Sequence, residues 1–459
     1  MQKTLLLNCV GLTPAHLGED TPALAALAKQ GFSSSMKGIT PGVTCSAQST
    51  MLTGLAPRDH GIVGNGWYFR DLAEVGLWRQ SNHLVKGEKL WDTARKRDKS
   101  FTVCNMFWWY NMYANVDSSL TPRPLYFADG LKLPGIYGSP PDFRRQFEVG
   151  YPPFPLFNFW GPAADIRSSN WIAQASIKAM KSEDPTLLMV YIPHLDYNLQ
   201  RLGPNDPATR EDLRQLDQCV APLIEAAQTT DRKIIVVSEY GITEVSSAIH
   251  INRILREAGF LATQPQLDRE NIDPGASEAF AVADHQIAHV YVRDADKIAD
   301  VKKLLESVDG IEGVFDRHDQ GALGLDHQRS GELVCISEGD RWFSYYFWFD
   351  DAMAPDYARA VDIHRKPGYD PVELFADPTI SMLKAKIGMK VLKKKLGFRM
   401  LMDVIPLDSS LVRGSHGRLA DHEKDGPILI MPSDPKKEED WTMSDVKDLV
   451  LDQIFGGHQ

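Results

Sequence analysis

Three short apolar runs, each leading into or out of a helix-forming stretch, limit how this chain can fold. "TLLLNCVGL" (4–12), "PTLLMVYIPHLD" (185–196) and "RKIIVVSEYGI" (232–242) are dense in Leu, Ile and Val, without polar alternation. That is how a strand buried on both faces of a parallel sheet reads. "TPALAALAKQGF" (21–32), "REDLRQLDQCVAPLIEAAQ" (210–228) and "INRILREAGFL" (251–261) carry apolar residues at helical spacing. The first has Pro just after a Thr cap and Gly31 at its end; the last offers Gly259 as a C-cap. The alternation predicts an α/β fold, a mostly parallel central sheet with helices on both faces, and function at the carboxyl ends of its strands. Asn8 falls late in the first run, Asp196 closes the second, and Glu239 closes the third.

Between about 262 and 400 the pattern changes. "AHVYVRDADKIADVKKLLESVDGIEGVFDR" (288–317) reads strand, helix, strand, and "GELVCIS" (331–337) with "FSYYFWF" (343–349) reads as a strand pair. We expect an inserted smaller α+β lid at 262–400, on a catalytic core formed by 1–261 and 401–459. The 459 residues suffice for both. "KAKIGMKVLKKKLGF" (384–398) mixes lysines with apolar residues at helical spacing, which suits either a solvated amphipathic helix or a surface for a partner or phospholipid.

"TPGVTCSAQSTMLTG" (40–54) holds six side-chain hydroxyls in fifteen positions. After the "TPGV" turn, residues 45–53 read as a helix ending near Gly54, with Thr44 at its N-terminus. Free N–H groups and the helix dipole favour an anion there, and would stabilise an alkoxide or a phosphoryl oxygen. Thr44 is equally suited to plain N-capping. Ser46, Ser49, Thr50 and Thr53 fall within the helix, where they can bond nearby carbonyls.

The stretch continues "LAPRDHGIVGNGW" (55–67). Thr44 followed by Gly54 in "MLTG", then "P-x-x-HGI" and Asn65, resembles the nucleophile segment of the nucleotide pyrophosphatase/phosphodiesterase branch of the alkaline phosphatase superfamily, a segment that phosphonoacetate hydrolases share. The resemblance extends through the Asn8 strand, "FWWYNMY" (107–113), "HLDYNLQRLGP" (194–204), "SEYGI" (238–242) and "GSHG" (414–417). It implies an alkaline phosphatase-like core, Thr44 as a covalent nucleophile activated by metal, and Asn65 as an oxyanion donor. A neutral threonine needs such activation, and charge building on phosphoryl oxygens needs fixed donors.

The metal ligands implied by the resemblance are altered. Its first-strand aspartate matches Asn8; its D-x-x-x-H matches Asp196 with Gln200 in place of His; its S-D-H-G matches "SEYG", giving Glu239 and Tyr240. His416 keeps the family type. Oxygen donors dominate the resulting set, which favours Mg²⁺ or Mn²⁺, or a single ion, where the resemblance itself implies zinc. Further candidates are His194, Asp284 with His285 and His289 in "ADHQIAH", His327 and Arg329 in "LDHQRSGE", and His364, Arg365 and Lys366 in "DIHRKPGYD". Each His is a replacement ligand or general acid on one reading and a hydrogen-bonded structural residue on the other. Arg or Lys would hold a phosphate. The aromatic stretch suits leaving-group stacking or core packing.

The leading expectation is a metal-dependent hydrolase of a small phosphoester, phosphodiester or phosphonate through a covalent threonyl intermediate. The alternative is a non-catalytic member that binds a phosphorylated metabolite. Mutase-type chemistry on a related fold uses serine where Thr44 stands. An excess of acidic over basic residues, 61 to 50, gives the whole molecule no electrostatic footprint for nucleic acid or an anionic membrane, while leaving room for a local basic patch. Five scattered cysteines without a CxxC pair, and an opening "MQKTLLLNCVGLTP" interrupted by Asn8 and lacking a small-residue cleavage site, point to a cytoplasmic protein. No run reaches the ~20 apolar residues of a membrane span. The sequence leaves the oligomeric state open.

Overall fold

The computed structural model describes residues 1–128, 132–435 and 440–456. The first apolar run forms β1 (Thr4–Cys9), every residue of which is buried: parallel strands pair with both its edges, and the successive Leu5, Leu6 and Leu7, which alternate between its faces, all lie in the main hydrophobic cluster. The remaining strands of the main sheet before the change in pattern are β2 (Phe32–Ser35), β3 (Val103–Met106), β4 (Ser118–Pro122), β5 (Ile136–Ser139), β6 (Leu187–Ile192) and β7 (Lys233–Val237). A smaller sheet follows, made of β8 (Ala279–Asp284), β9 (Ile287–Val292), β10 (Ile311–Asp316) and β11 (Leu333–Ser337), after which β12 (Ile428–Met431) returns to the main sheet. The main sheet runs β2-β12-β7-β1-β6-β3-β4-β5. Its five middle strands are parallel, while β12 and β5 run antiparallel to their neighbours. This is the expected α/β architecture.

Three helices follow the expected periodicity: α1 (Pro22–Gln30), α4 (Thr209–Thr229) and α5 (Ile251–Glu257). Two others carry the candidate site: α2 (Thr44–Thr53) and α3 (Leu195–Leu202). Gly54 ends α2 at φ 71°, the left-handed conformation that closes a helix without a Cβ penalty. Leu5, Leu6 and Leu7 are fully buried, each worth roughly 1.5–3 kcal/mol. Asn8, next in the same strand, is equally buried and must find polar partners.

The small sheet is antiparallel in the order β8-β9-β11-β10, with α6 (Ile298–Glu306) between β9 and β10. Its apolar face belongs to a second hydrophobic cluster that also takes in Cys45, Ile62, Trp67, Trp109 and Tyr110 from earlier in the chain. A two-residue hairpin, His285–Gln286, joins β8 to β9, with His285 at φ 63°. Gln286 N donates to His416 O at 2.8 Å, fixing the hairpin tip to the 414–417 loop. A Cβ on Gly417 (φ 120°) would lie 3.1 Å from Gln286 N, so the close approach needs glycine.

Three local expectations are corrected. The strand of 185–196 stops at Ile192, and Asp196, with His194 before it, lies at the start of α3 instead of closing the strand. Likewise β7 ends at Val237, two residues before Glu239. "FSYYFWF" contributes only Phe343 to a strand, at 341–343, and that strand pairs with 247–249 rather than with β11. The aromatics after it are held by burial in the second cluster instead of a ladder. The lysine-rich segment does form a helix, α7 (Leu383–Lys395).

Candidate active site

The carboxyl ends of β1 and β7, the first turns of α2 and α3, and the 414–417 loop converge on Thr44. Thr44 is the first residue of α2, and Val43 takes the N-cap position before it, so the Thr44 hydroxyl is not the helix cap. Instead Thr44 Oγ1 lies 3.2 Å from Tyr240 Oη, which donates to Asp196 Oδ1 at 3.2 Å. With the phenol proton committed to Asp196, Thr44 is the donor in the first bond. The other hydroxyls of α2 are spent elsewhere: Ser46 on Ile62 O, Ser49 on Cys45 O, Thr53 on Ser49 O, and Thr50 on the His60 ring.

Behind Thr44, Asn8 Nδ2 and Gln48 Nε2 both donate to Glu239 Oε1, at 2.7 and 2.6 Å. Asn8 Oδ1 and Glu239 Oε2 stay buried without a hydrogen-bond partner. On the other side, His416 Nδ1 donates to Gly42 O at 2.7 Å, which leaves an unshared pair on Nε2, itself 3.8 Å from Asp196 Oδ1. The His416 ring is sandwiched between Tyr240 and His285, with centroids 3.6 Å away on each side, and His285 stacks in turn on Tyr369 at 3.7 Å. Tyr369 Oη donates to Gln200 Oε1 at 3.1 Å. Asn65 Oδ1 accepts from Cys45 N at 3.1 Å, while its N–H groups hold Asp284, through the backbone N at 2.7 Å and Nδ2 at 3.0 Å.

Burial sets the charge state. It pushes the carboxyls of Asp196, Glu239 and Asp284 up to about 7 each, against the hydrogen bonds they accept. The Tyr240 phenol is raised well above its ordinary value by burial, then by Asp196 and Glu239. Burial drops His416 to about 3, with the Gly42 carbonyl pulling the other way. No Lys or Arg is paired with these three carboxyls among the described residues. The cluster is acid-rich and short of positive charge.

These donors bear on a divalent cation. Asn8 Oδ1, Glu239 Oε2 and Thr44 Oγ1 form a set of hard oxygen atoms, two of them orphaned, which fits one oxygen-preferring ion. They do not make a two-zinc centre: Gln200 is occupied by Tyr369, and Tyr240 is an aromatic stack in place of a ligating imidazole. No group of three His, Cys, Asp or Glu side chains positioned for a metal occurs among the described residues.

The other candidates lie outside this cluster. His194 faces Asp212 at 3.5 Å. His289 bridges Val63 O and Gly331 N, at 2.9 and 3.3 Å. Arg329 donates to Gly61 O and Leu84 O, and His327 accepts from Arg329 N. His364 reaches Leu77 O, Arg365 pairs with Asp356 at the surface, and Lys366 is buried between Asp370 and Glu373, 2.7 Å from each. Phe107 and Trp108 pack in the main core, whereas Trp109 N donates to Gln48 Oε1. Sequence reasoning missed Gln48, Tyr191 and Tyr369. Gln48 was readable, since it sits one helical turn after Thr44. Tyr191 is paired in register with Asn8, and Tyr369 arrives from far along the chain; neither leaves a local signal.

A cavity of about 350 Å³ opens beside the cluster, lined in part by Gly42, Glu239, Tyr240, Gln286, Lys37 and Arg418. Thr44 itself is 5% exposed.

The pattern of the type I phosphodiesterase/nucleotide pyrophosphatase family matches residues 4–370. Solved structures similar to this chain include phosphonoacetate hydrolase from Sinorhizobium meliloti in complex with phosphonoformate, at 12% identity and TM-score 0.62 over 100% of this chain and 96% of that one. Another is an inactive form of murine ectonucleotide pyrophosphatase/phosphodiesterase 5 in complex with AMP, at 14% identity and TM-score 0.59 over 99% and 95%. The human protein of that name aligns with the same score and identity over 99% and 95%. At these identities the likeness establishes the shared fold. No curated protein matches the chain in sequence.

Proposed function

This chain belongs to the type I phosphodiesterase/nucleotide pyrophosphatase family, and from that premise we propose that it hydrolyses a small phosphoester, phosphodiester or phosphonate with Thr44 as covalent nucleophile. The observation that carries the reading is the hydrogen-bonded line Thr44–Tyr240–Asp196 at the N-terminus of α2. As Thr44 Oγ1 attacks phosphorus, its proton passes to Tyr240 Oη while the phenol's own proton passes to Asp196, and the bond to the leaving group breaks. An acid near 7 is well matched to receive that proton at neutral pH. Water then cleaves the threonyl ester: Asp196 and Tyr240 return the stored proton to Thr44 Oγ1 as it leaves, and the proton given up by the water balances the one the departed leaving group takes from solvent.

Asn65 has one amide hydrogen on Asp284, and the second is free for a phosphoryl oxygen. Asn8, Glu239 and Thr44 are the residues that would hold a divalent ion of the Mg²⁺ or Mn²⁺ type, which would supply positive charge for those oxygens. Zinc, implied by the family, has weaker support from this donor set. The cavity beside Tyr240 is of a size for a small ligand. We further read 262–400 as a lid over the core; what supports this is the packing of His285, at the hairpin tip, on His416. No helix among the described residues is long and apolar enough to cross a membrane. A cytoplasmic setting is supported by the five buried, unpaired cysteines.

A second reading, a non-catalytic binder of a phosphorylated metabolite, is favoured by the direct Asn8–Glu239 hydrogen bond, which lets two ligand positions satisfy one another. The test is hydrolysis of activated aryl phosphodiesters and monoesters with Mg²⁺, Mn²⁺ or Zn²⁺, comparing wild type with Thr44→Ala. Metal-dependent turnover lost in the variant supports the hydrolase. Background rates for both proteins with every metal favour the binder.

A further inference from the structure

Helix α7 packs on the protein through only one of its sides. Leu383 and Ile387 rest against the buried cluster of Val245, Trp342, Val372 and Val404, and Lys386 and Lys390 turn inward to Asp403. The opposite side carries Ala385, Met389 and Leu392, followed beyond the helix end by Leu396, at intervals of four, three and four residues, and all four are exposed. Phe398 and Leu401 extend the apolar surface, at 64% and 42% exposure. An outward stripe at this spacing is a second apolar face, which a helix resting on a soluble core does not need.

Charge identifies what covers it. Between Asp377 and Asp403 the sequence holds seven basic residues and no acidic one, in a chain of net charge −11. Lys384 and Lys395 flank one edge of the stripe and Lys393 the other, all exposed and without an acidic partner among the described residues. A second copy of this acidic chain would oppose the lysines with acidic groups, but pairing α7 with α7 would set one basic helix against another. An anionic bilayer satisfies both features, with acyl chains for the leucines and headgroup charge for the lysine rim.

We propose that α7 docks this protein on anionic lipid membranes, lying in the plane of the interface. Flotation of the full chain with phosphatidylcholine vesicles, with and without phosphatidylserine, tests it, alongside Leu392→Asp/Leu396→Asp and Lys384→Glu/Lys393→Glu/Lys395→Glu. These residues are exposed, and circular dichroism checks that both variants stay folded. Wild type is expected to float with phosphatidylserine vesicles, less so as salt rises, and poorly with phosphatidylcholine alone. Removing each lysine weakens binding roughly fivefold, and the leucine variant releases the protein. Absence of the folded wild type from phosphatidylserine vesicles at low salt would overturn the proposal. So would flotation that both variants retain, or a dimer in sedimentation equilibrium that the leucine variant abolishes.

Discussion

Tyr240 lies flat on His416, their rings 3.6 Å apart and within 7° of parallel, at the position where the family resemblance calls for a metal-binding imidazole. Its ring is spent on stacking, and its hydroxyl is left to join Thr44 to Asp196. That division of labour makes the hydroxyl separable from the ring.

Tyr240→Phe should therefore keep the stack and the fold but break the proton line. We expect kcat to fall between about 10²- and 10⁴-fold, with KM and the melting temperature little changed. Steady-state kinetics on the best aryl substrate decides it. A phenylalanine variant of wild-type kcat would remove Tyr240 from the chemistry.

Returning the altered positions to the family types should rebuild a zinc centre. Asn8→Asp, Gln200→His and Tyr240→His together place carboxylates and imidazoles beside Asp196, Glu239 and His416. The triple variant should retain stoichiometric zinc through dialysis, measured by atomic emission, where the wild type holds it weakly. Equal zinc retention by the two proteins would contradict the oxygen-donor reading.

His289 tests pH linkage away from the site. Its Nδ1 accepts from Gly331 N and its Nε2 donates to Val63 O, so only the neutral ring satisfies both, and burial lowers its pKa from 6.5 to about 4. A depressed folded pKa means stability that is complete above 6.5 and is lost as pH falls toward 4. His289→Gln is less stable than wild type at neutral pH, and the gap should narrow on acidification, by up to about 1.4 kcal/mol per pH unit. Asp196, Glu239 and Asp284 work in the opposite direction over the same range, so the quantity to measure is the difference in urea midpoint between the two proteins.

Lys366 offers a charge prediction. Its ammonium sits fully buried between Asp370 and Glu373. Lys366→Met leaves two buried carboxylates unpaired and should cost about 3–5 kcal/mol in urea unfolding. Because burial already raises Glu373, the deficit should shrink in acid, where the carboxyls protonate.

Much of the fold was legible because buried parallel strands and amphipathic helices write themselves as local patterns. The Thr44 segment could be placed at a helix start from its turn and its closing glycine. Asp196 was misplaced because the apolar density of 187–192 hides where the strand stops, and Pro193 turns the chain into α3 before the polar residues begin. "FSYYFWF" has strand-like composition, but a strand also needs a neighbour, and neighbours are decided by tertiary packing. Tyr369 and Tyr191 reach Thr44's surroundings through long-range pairing, which one sequence does not record.

The bond from Gln286 N to His416 O ties the roof of the cluster to its floor. On the lid reading proposed above, a ligand bound for Thr44, itself only 5% exposed, parts the hairpin from the 414–417 loop, and its products part them again. Size therefore sets a toll on traffic in both directions: two substrates with the same leaving group but different bulk should differ in how long they stay, and the bulkier one will report the opening of the protein instead of its chemistry.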